Sequence, residues 1–193
     1  MTNMSAAPNP VSITDENARL AILLQESHER FLASFAGCSE EDCRRQPGEG
    51  TWSVLDCVEH LVAAETLMLR RLQNDRKPRT AEAPNREHIF LERMGSRAKK
   101  VQTPETGQPT GRFPTLAAAR SQFESVRAAT IRFAEENKED LRASELIHPH
   151  PLVGVVSSCE MLIIIAKHAE RHAAQIEEIR NTLATQAGAG GAN

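Results

Sequence analysis

CEMLIIIAKHAERHAAQIEEIR, residues 159–180, is the stretch that decides the fold. Steps of four and three residues along it, the stride of one face of a packed helix, meet Met161, Ile165, His168, His172, Gln175 and Ile179. An apolar seam thus runs through two histidines and a glutamine before turning apolar again. Burying bare imidazoles there costs free energy unless their nitrogens find partners. Two histidines four apart on a helix point the same way, and that spacing offers two imidazoles to one metal ion.

Outward from this helix, three more long amphipathic patterns share its character. Helix one is expected from about Glu16 to Ala36, with Leu20, Leu24, Phe31 and Phe35 on one stripe, Thr14 or Asp15 as cap and Gly37 as stop. Ser53 is a good N-cap for helix two, which continues to about Asn74 with Val54, Val58, Leu61, Met68 and Leu72 inward. Helix three spans about Thr115 to Asn137, with Leu116, Ala119, Phe123, Val126, Thr130 and Phe133 inward. The composition agrees: aromatic residues are only 4%, with one Trp and no Tyr, which favours helix over sheet.

Between helices two and three the pattern fails. Pro78, Pro84, Pro104, Pro109 and Pro114 break it, leaving room for a short helix around Arg86 to Met94. From Arg70 to Lys100 there are ten basic residues against four acidic ones, although the whole chain carries −3. Such a segment reads as a solvated crossover, with a lid or funnel for an anionic substrate as the functional version. Residues 1–14 read as a loose tail, 15–184 as one domain, and the Gly/Ala/Asn-rich 185–193 as a disordered tail. Four long helices and one long crossover make an all-α four-helix bundle.

The net charge of −3 gives no drive toward nucleic acid, and no helix carries a basic face suited to a groove. The longest apolar run, Met161 to Ala166, is far short of the ~20 residues of a membrane span. Cys38, Cys43, Cys57 and Cys159 form no C-x-x-C pair, so a cytoplasmic protein with reduced thiols is expected.

Bundles hold cofactors between facing helices. His60 on helix two has mostly small neighbours (Cys57, Ala63, Ala64), which leave room for its ring to reach a partner helix. With His168 and His172 it would supply three neutral nitrogens and leave a position open on a divalent ion, as catalytic sites do. Asp56 and Gln175, each one turn from a histidine, are candidates to bind the far ring N–H groups. His28 on the stripe of helix one, and His148 and His150 in the proline-rich loop before helix four, are weaker candidates for substrate contact. The segment is not H-E-x-x-H: Glu170 lies two residues after His168, turned ~200° away from it. Nor is this a di-iron bundle, which needs Glu-x-x-His motifs on two helices plus two further inward glutamates, because that motif occurs only once.

Trp52-Ser53 followed by Glu59-His60-Leu61, and His148-Pro149…Gly154 leading into His168-x-x-Arg171-His172-x-x-Gln175-Ile176, resemble the DinB-like superfamily of metal-binding four-helix bundles. The similarity covers roughly Glu16 to Leu183. It implies an up-down-down-up bundle, frequent homodimers, and zinc or nickel held by His60, His168 and His172. Its characterised members include thiol-dependent S-transferases and a thiol-dependent isomerase, using bacillithiol or mycothiol.

The expectation is therefore a metal-dependent enzyme that activates a low-molecular-weight thiol toward a small-molecule substrate, working as a homodimer without nucleic acid or membrane. A metal-hydroxide hydrolase is the near variant. A non-catalytic metal-binding stress-response bundle acting through dimerisation is the alternative from another class.

Overall fold

A computed structural model describes residues 12–80, 83–98 and 107–190. Its frame is four long helices, α1 (Ile13–Ser34), α2 (Val54–Asn74), α4 (Leu116–Glu136) and α5 (Ser158–Gly190). A short helix, α3 (Glu87–Arg93), lies in the crossover, and β1 (Arg76–Pro78) pairs antiparallel with β2 (Ser144–Leu146).

The helices start where side chains satisfy their free N–H groups. Ser12, with extended backbone, accepts from Asp15 N at 3.1 Å. The cap is therefore neither Thr14 nor Asp15, and helix begins inside the expected tail, because a hydroxyl at position 12 reaches the third helical N–H while Asp15 faces the dipole. Ser53 and Asp56 form a reciprocal capping box on α2, and Ser157 and Glu160 exchange the same pair of bonds at the start of α5. Thr115 caps α4, and Glu40 of the α1–α2 connection also accepts Leu116 N. Gly37, at φ +71°, turns the chain after α1. At the other end, α5 runs to Gly190 rather than fading near Ala184. Gln186 donates to Pro47 O, which ties down part of the expected 185–193 tail; residues 191–193 lie outside the described residues.

Contacts at the helix ends give the directions. Asn17, near the start of α1, donates to Asn137 O just past the end of α4, so these two run antiparallel. Arg180 in the second half of α5 donates to Ser34 O at the end of α1, so α1 and α5 run parallel. The β1–β2 pair joins the end of α2 to the beginning of α5, which makes those two antiparallel. The bundle is up-down-down-up, with α1 and α2 each packed on both α4 and α5.

The core is in two apolar clusters. One holds Leu20 and Leu24 of α1, Met68 and Leu72 of α2, Ala134 of α4 and Met161 to Ala166 of α5. The other holds Phe31 and Phe35 of α1, Val54, Val58 and Leu61 of α2, Ala119 and Phe123 of α4, and Ala169, Ala173, Ile176 and Ile179 of α5. Each helix crosses from one to the other through polar residues: Ser27 and His28 on α1, Glu65 on α2, Arg127 and Thr130 on α4, Lys167 and His168 on α5. At this waist Arg127 and Glu65 form a fully buried, two-pronged ion pair at 2.8 Å on both prongs.

The basic crossover is not a free positive surface. Arg76 pairs with Glu139, Lys77 with Glu145, and Arg97 with Glu178. Arg79 and Arg86 flank the buried carboxylate of Glu160 at 3.6 and 3.8 Å. Acidic residues contributed by the α4–α5 connection and by α5 itself neutralise these charges, which tie the crossover to the bundle. Lys99 and Lys100 lie outside the described residues.

Candidate metal centre

His60 sits on the α2 face turned to α5, and His168 and His172 stand one turn apart on the opposing face. Their ring nitrogens converge. His60 Nε2 lies 3.2 Å from His168 Nε2, and His172 Nε2 lies 3.1 Å from it. One ligand nitrogen from each ring falls within 4.8 Å of the other two, the group among the described residues with that geometry. Trp52, just ahead of the α2 cap, forms a wall: its ring is stacked on His172 at 6.0 Å and tilted against His60 at 5.0 Å.

The rings are held neutral. Burial pushes His168 down to about 3, and the neighbouring His60 adds to the effect. Burial, followed by His168 and His60, sets His172 well below its ordinary value. Burial also lowers His60, against a hydrogen bond from its Nδ1 to Gly107 O at 2.7 Å. That bond puts the His60 hydrogen on Nδ1 and leaves the Nε2 lone pair facing His168.

Three bare or nearly bare nitrogens in mutual contact do not satisfy one another, since His168 Nε2 carries at most one hydrogen for two neighbours. A tetrahedral ion with metal–nitrogen bonds of roughly 2.0–2.1 Å holds its ligand nitrogens about 3.3–3.4 Å apart. The observed 3.1 and 3.2 Å separations sit close to that spacing, and an all-imidazole donor set suits zinc, nickel and similar ions. These residues fit a divalent metal.

The other sequence candidates lie elsewhere. Asp56 accepts from the backbone N and hydroxyl of Ser53, both at 2.8 Å, so its carboxylate serves the helix cap; the far nitrogen of His60 uses the Gly107 carbonyl instead. Gln175 accepts from Arg97, while His172 Nδ1 is buried without a hydrogen-bond partner among the described residues. His28 packs on Phe123 beside the waist, its pKa lowered by burial and by Arg127, and does not join the three converging rings. His148 is exposed, and His150 Nδ1 accepts Leu152 N within its own loop. Charge on His150 nevertheless reaches His168 and helps to lower its pKa. Cys57 is buried among apolar side chains, which pushes its thiol well up and makes it a poor nucleophile or ligand.

Two parts of the surroundings are absent from the candidate residues singled out in the sequence. Glu59, 1% exposed, binds the end of the crossover through Thr110 and Arg112; burial raises its pKa, and these bonds more than reverse that. The Arg127–Glu65 pair is the other. Its signal was present, because Glu65 continues the stripe of Leu61 and Leu72, and Arg127 follows Phe123 by one turn.

Residues 23–176 match the sequence model of the DinB superfamily. The chain belongs to the DinB superfamily. It is 25% identical over 150 residues to the uncharacterized protein YuaE of Bacillus subtilis (strain 168), covering 76% of this chain and 88% of that protein. Its fold is similar to that of YfiT from Bacillus subtilis, described as a probable metal-dependent hydrolase with an unusual four-helix bundle topology. That likeness has a TM-score of 0.60 at 12% identity and covers 93% of this chain and 94% of YfiT. No described helix of this DinB-superfamily bundle is long and apolar enough to cross a membrane.

Proposed function

We propose that this DinB-superfamily protein is a metal-dependent enzyme in which His60, His168 and His172 hold one divalent ion, zinc or nickel, through their Nε2 atoms. The observation that carries this reading is the convergence of those atoms at 3.1 and 3.2 Å on rings that burial keeps neutral. When bound, the ion would supply Lewis acidity at its remaining position, lowering the pKa of a thiol or water placed there. The chain supplies the rest. The Gly107 carbonyl sets the His60 tautomer, the Trp52 indole closes the site over His60 and His172, and the two apolar clusters keep bulk water from the helix interiors.

The reaction favoured is transfer or isomerisation with a low-molecular-weight thiol, as the family resemblance implies. Hydrolysis is the second reading, favoured by the likeness to YfiT. Neither reading relies on the crossover as an anion-holding lid, since Arg76, Arg79, Arg86 and Arg97 already pair with Glu139, Glu160 and Glu178.

Elemental analysis of the tag-free protein beside His60→Ala and His168→Ala tests the site. About one ion per chain in the wild type, lost in both variants with the helical circular dichroism unchanged, is the expected result. A wild type that takes up no metal after reconstitution refutes the reading. Thiol-transfer and ester-hydrolysis assays of the loaded protein, with His172→Ala as control, then decide between the two nucleophiles.

A further inference from the structure

The residue before His60 is a buried carboxylate engaged with the same short segment that meets His60 itself. Glu59 Oε1 accepts Thr110 N at 2.6 Å, Thr110 Oγ1 at 3.1 Å and Arg112 Nε at 3.2 Å, and Oε2 accepts Arg112 N at 3.0 Å. Gly111, between the two donating amides, has φ +74°, a conformation glycine adopts at no steric cost, and this lets both amides turn to one carboxylate. Three residues before Thr110, the Gly107 carbonyl receives the Nδ1 hydrogen of His60 at 2.7 Å. Adjacent residues of α2 therefore grip the two ends of residues 107–112. None of the four long helices provides that carbonyl; it comes from the end of the crossover, whose position depends on what anchors it.

The anchor bears on the metal centre. A neutral imidazole carries one hydrogen, and its place is decided by the partner of the other nitrogen. With Gly107 O against Nδ1, the Nε2 lone pair is free for a metal. If the segment moves off, the ring can turn, or carry its hydrogen on Nε2, the atom that has to be bare. We infer that Glu59 is a positioning residue for the metal centre: by clamping Thr110 and Arg112 it holds the Gly107 carbonyl on His60 and so fixes the His60 Nε2 lone pair toward His168 and His172. This rests on the three-histidine reading of the site.

Glu59→Gln tests it in the full chain. The amide keeps the size of the carboxylate but sets an NH2 group against N–H donors, so part of the clamp becomes repulsive. Nitrogen-15 spectra of the metal-free protein read the tautomer directly. The wild type should show His60 protonated on Nδ1, and Glu59→Gln a mixture or a shift toward Nε2. Cobalt(II) titrations followed by ligand-field absorption should show affinity about 10–100-fold weaker in the variant, the usual effect of losing a group that orients a ligand. Loss of stability alone would move neither the tautomer nor the affinity of the folded protein. Unchanged tautomer and unchanged cobalt affinity in folded Glu59→Gln overturn the inference while leaving the metal reading intact. A wild type that binds no cobalt overturns the metal reading and this inference with it. Should Glu59→Gln not fold, Thr110→Ala/Arg112→Ala removes two of the four donors without touching α2, and the same two readouts decide by the same criteria.

Discussion

Arg127→Met would strip the bundle of the cation at its waist, and the structure sets the size of the effect. The Arg127 side chain is fully buried and that of Glu65 is 2% exposed. Two N–H groups bind Glu65 at 2.8 Å each, while the third nitrogen reaches Leu24 O at 2.9 Å and Ser27 Oγ at 2.7 Å. Methionine fills much of the same volume, so little of the loss comes from a cavity. The cost lies in Glu65, left as a buried carboxylate without a counter-ion. Removing one partner of a buried pair costs about 3–5 kcal/mol, a large part of the ~5–15 kcal/mol that holds a domain together. Urea unfolding at pH 7.5, for wild type, Arg127→Met, Glu65→Leu and the double variant, measures it. The double variant should be more stable than the sum of the single losses predicts, because an apolar pair leaves no buried charge behind. An Arg127→Met penalty below about 1 kcal/mol at pH 7.5, or additive single losses, would show that the buried pair does not hold the waist.

Two other perturbations probe the site and its support. In chelator-treated protein the low folded pKa values of His168 and His172 mean that the unfolded chain binds more protons below pH 6.5. Stability contributed by keeping these rings neutral is complete above pH 6.5 and falls as the pH drops toward 3, by up to ~1.4 kcal/mol per pH unit for each extra proton taken up; a urea midpoint flat from pH 7 to pH 5 would contradict it. Glu160→Ala should cost about 1–3 kcal/mol and speed hydrogen exchange in α3, since Arg86 N and Ser157 N lose their acceptor and Arg79 and Arg86 their counter-ion; unchanged α3 protection would rule out that role.

Much of this was legible because helices advertise themselves by period. The stripes of Leu20, Leu24 and Phe31, and of Val54, Val58 and Leu61, are buried as their spacing requires. The interruption of the α5 seam by His168 and His172 marked a polar place in an apolar face before any partner was visible. What stayed hidden is not periodic. A three-residue β1 containing Pro78 has no alternation to read, and its pairing with Ser144–Leu146 depends on the distant start of α5. The partner of His60 is a carbonyl, which every residue carries, so no side chain at position 107 could announce it. Asp56 looked suited to the task by spacing but was already committed to Ser53, because a first-turn carboxylate finds the free N–H of its own cap before it finds a neighbouring helix.

The topology itself explains why a crossover segment lies at the metal centre. Since α2 and α4 both run down, the chain leaving Asn74 has to climb the full length of α2 before α4 can begin. For 21 residues that is about 32 Å, a distance ~10 extended residues would cover. The connection spends far more chain than that, and its described parts are not slack: β1 pairs with β2, Arg86 and Arg79 hold Glu160, α3 lies along α5, and Gly95 passes so close that an added Cβ would sit 3.4 Å from the Glu170 carboxylate. The climb ends near the start of α2, on the side where His60 faces α5. A segment arriving there can offer backbone carbonyls without breaking a helix, whose own carbonyls are already committed to the next turn. Two parallel middle helices thus oblige the chain to pass the place where the histidine on α2 needs an acceptor from outside the helices, and Gly107 is where that passage supplies it.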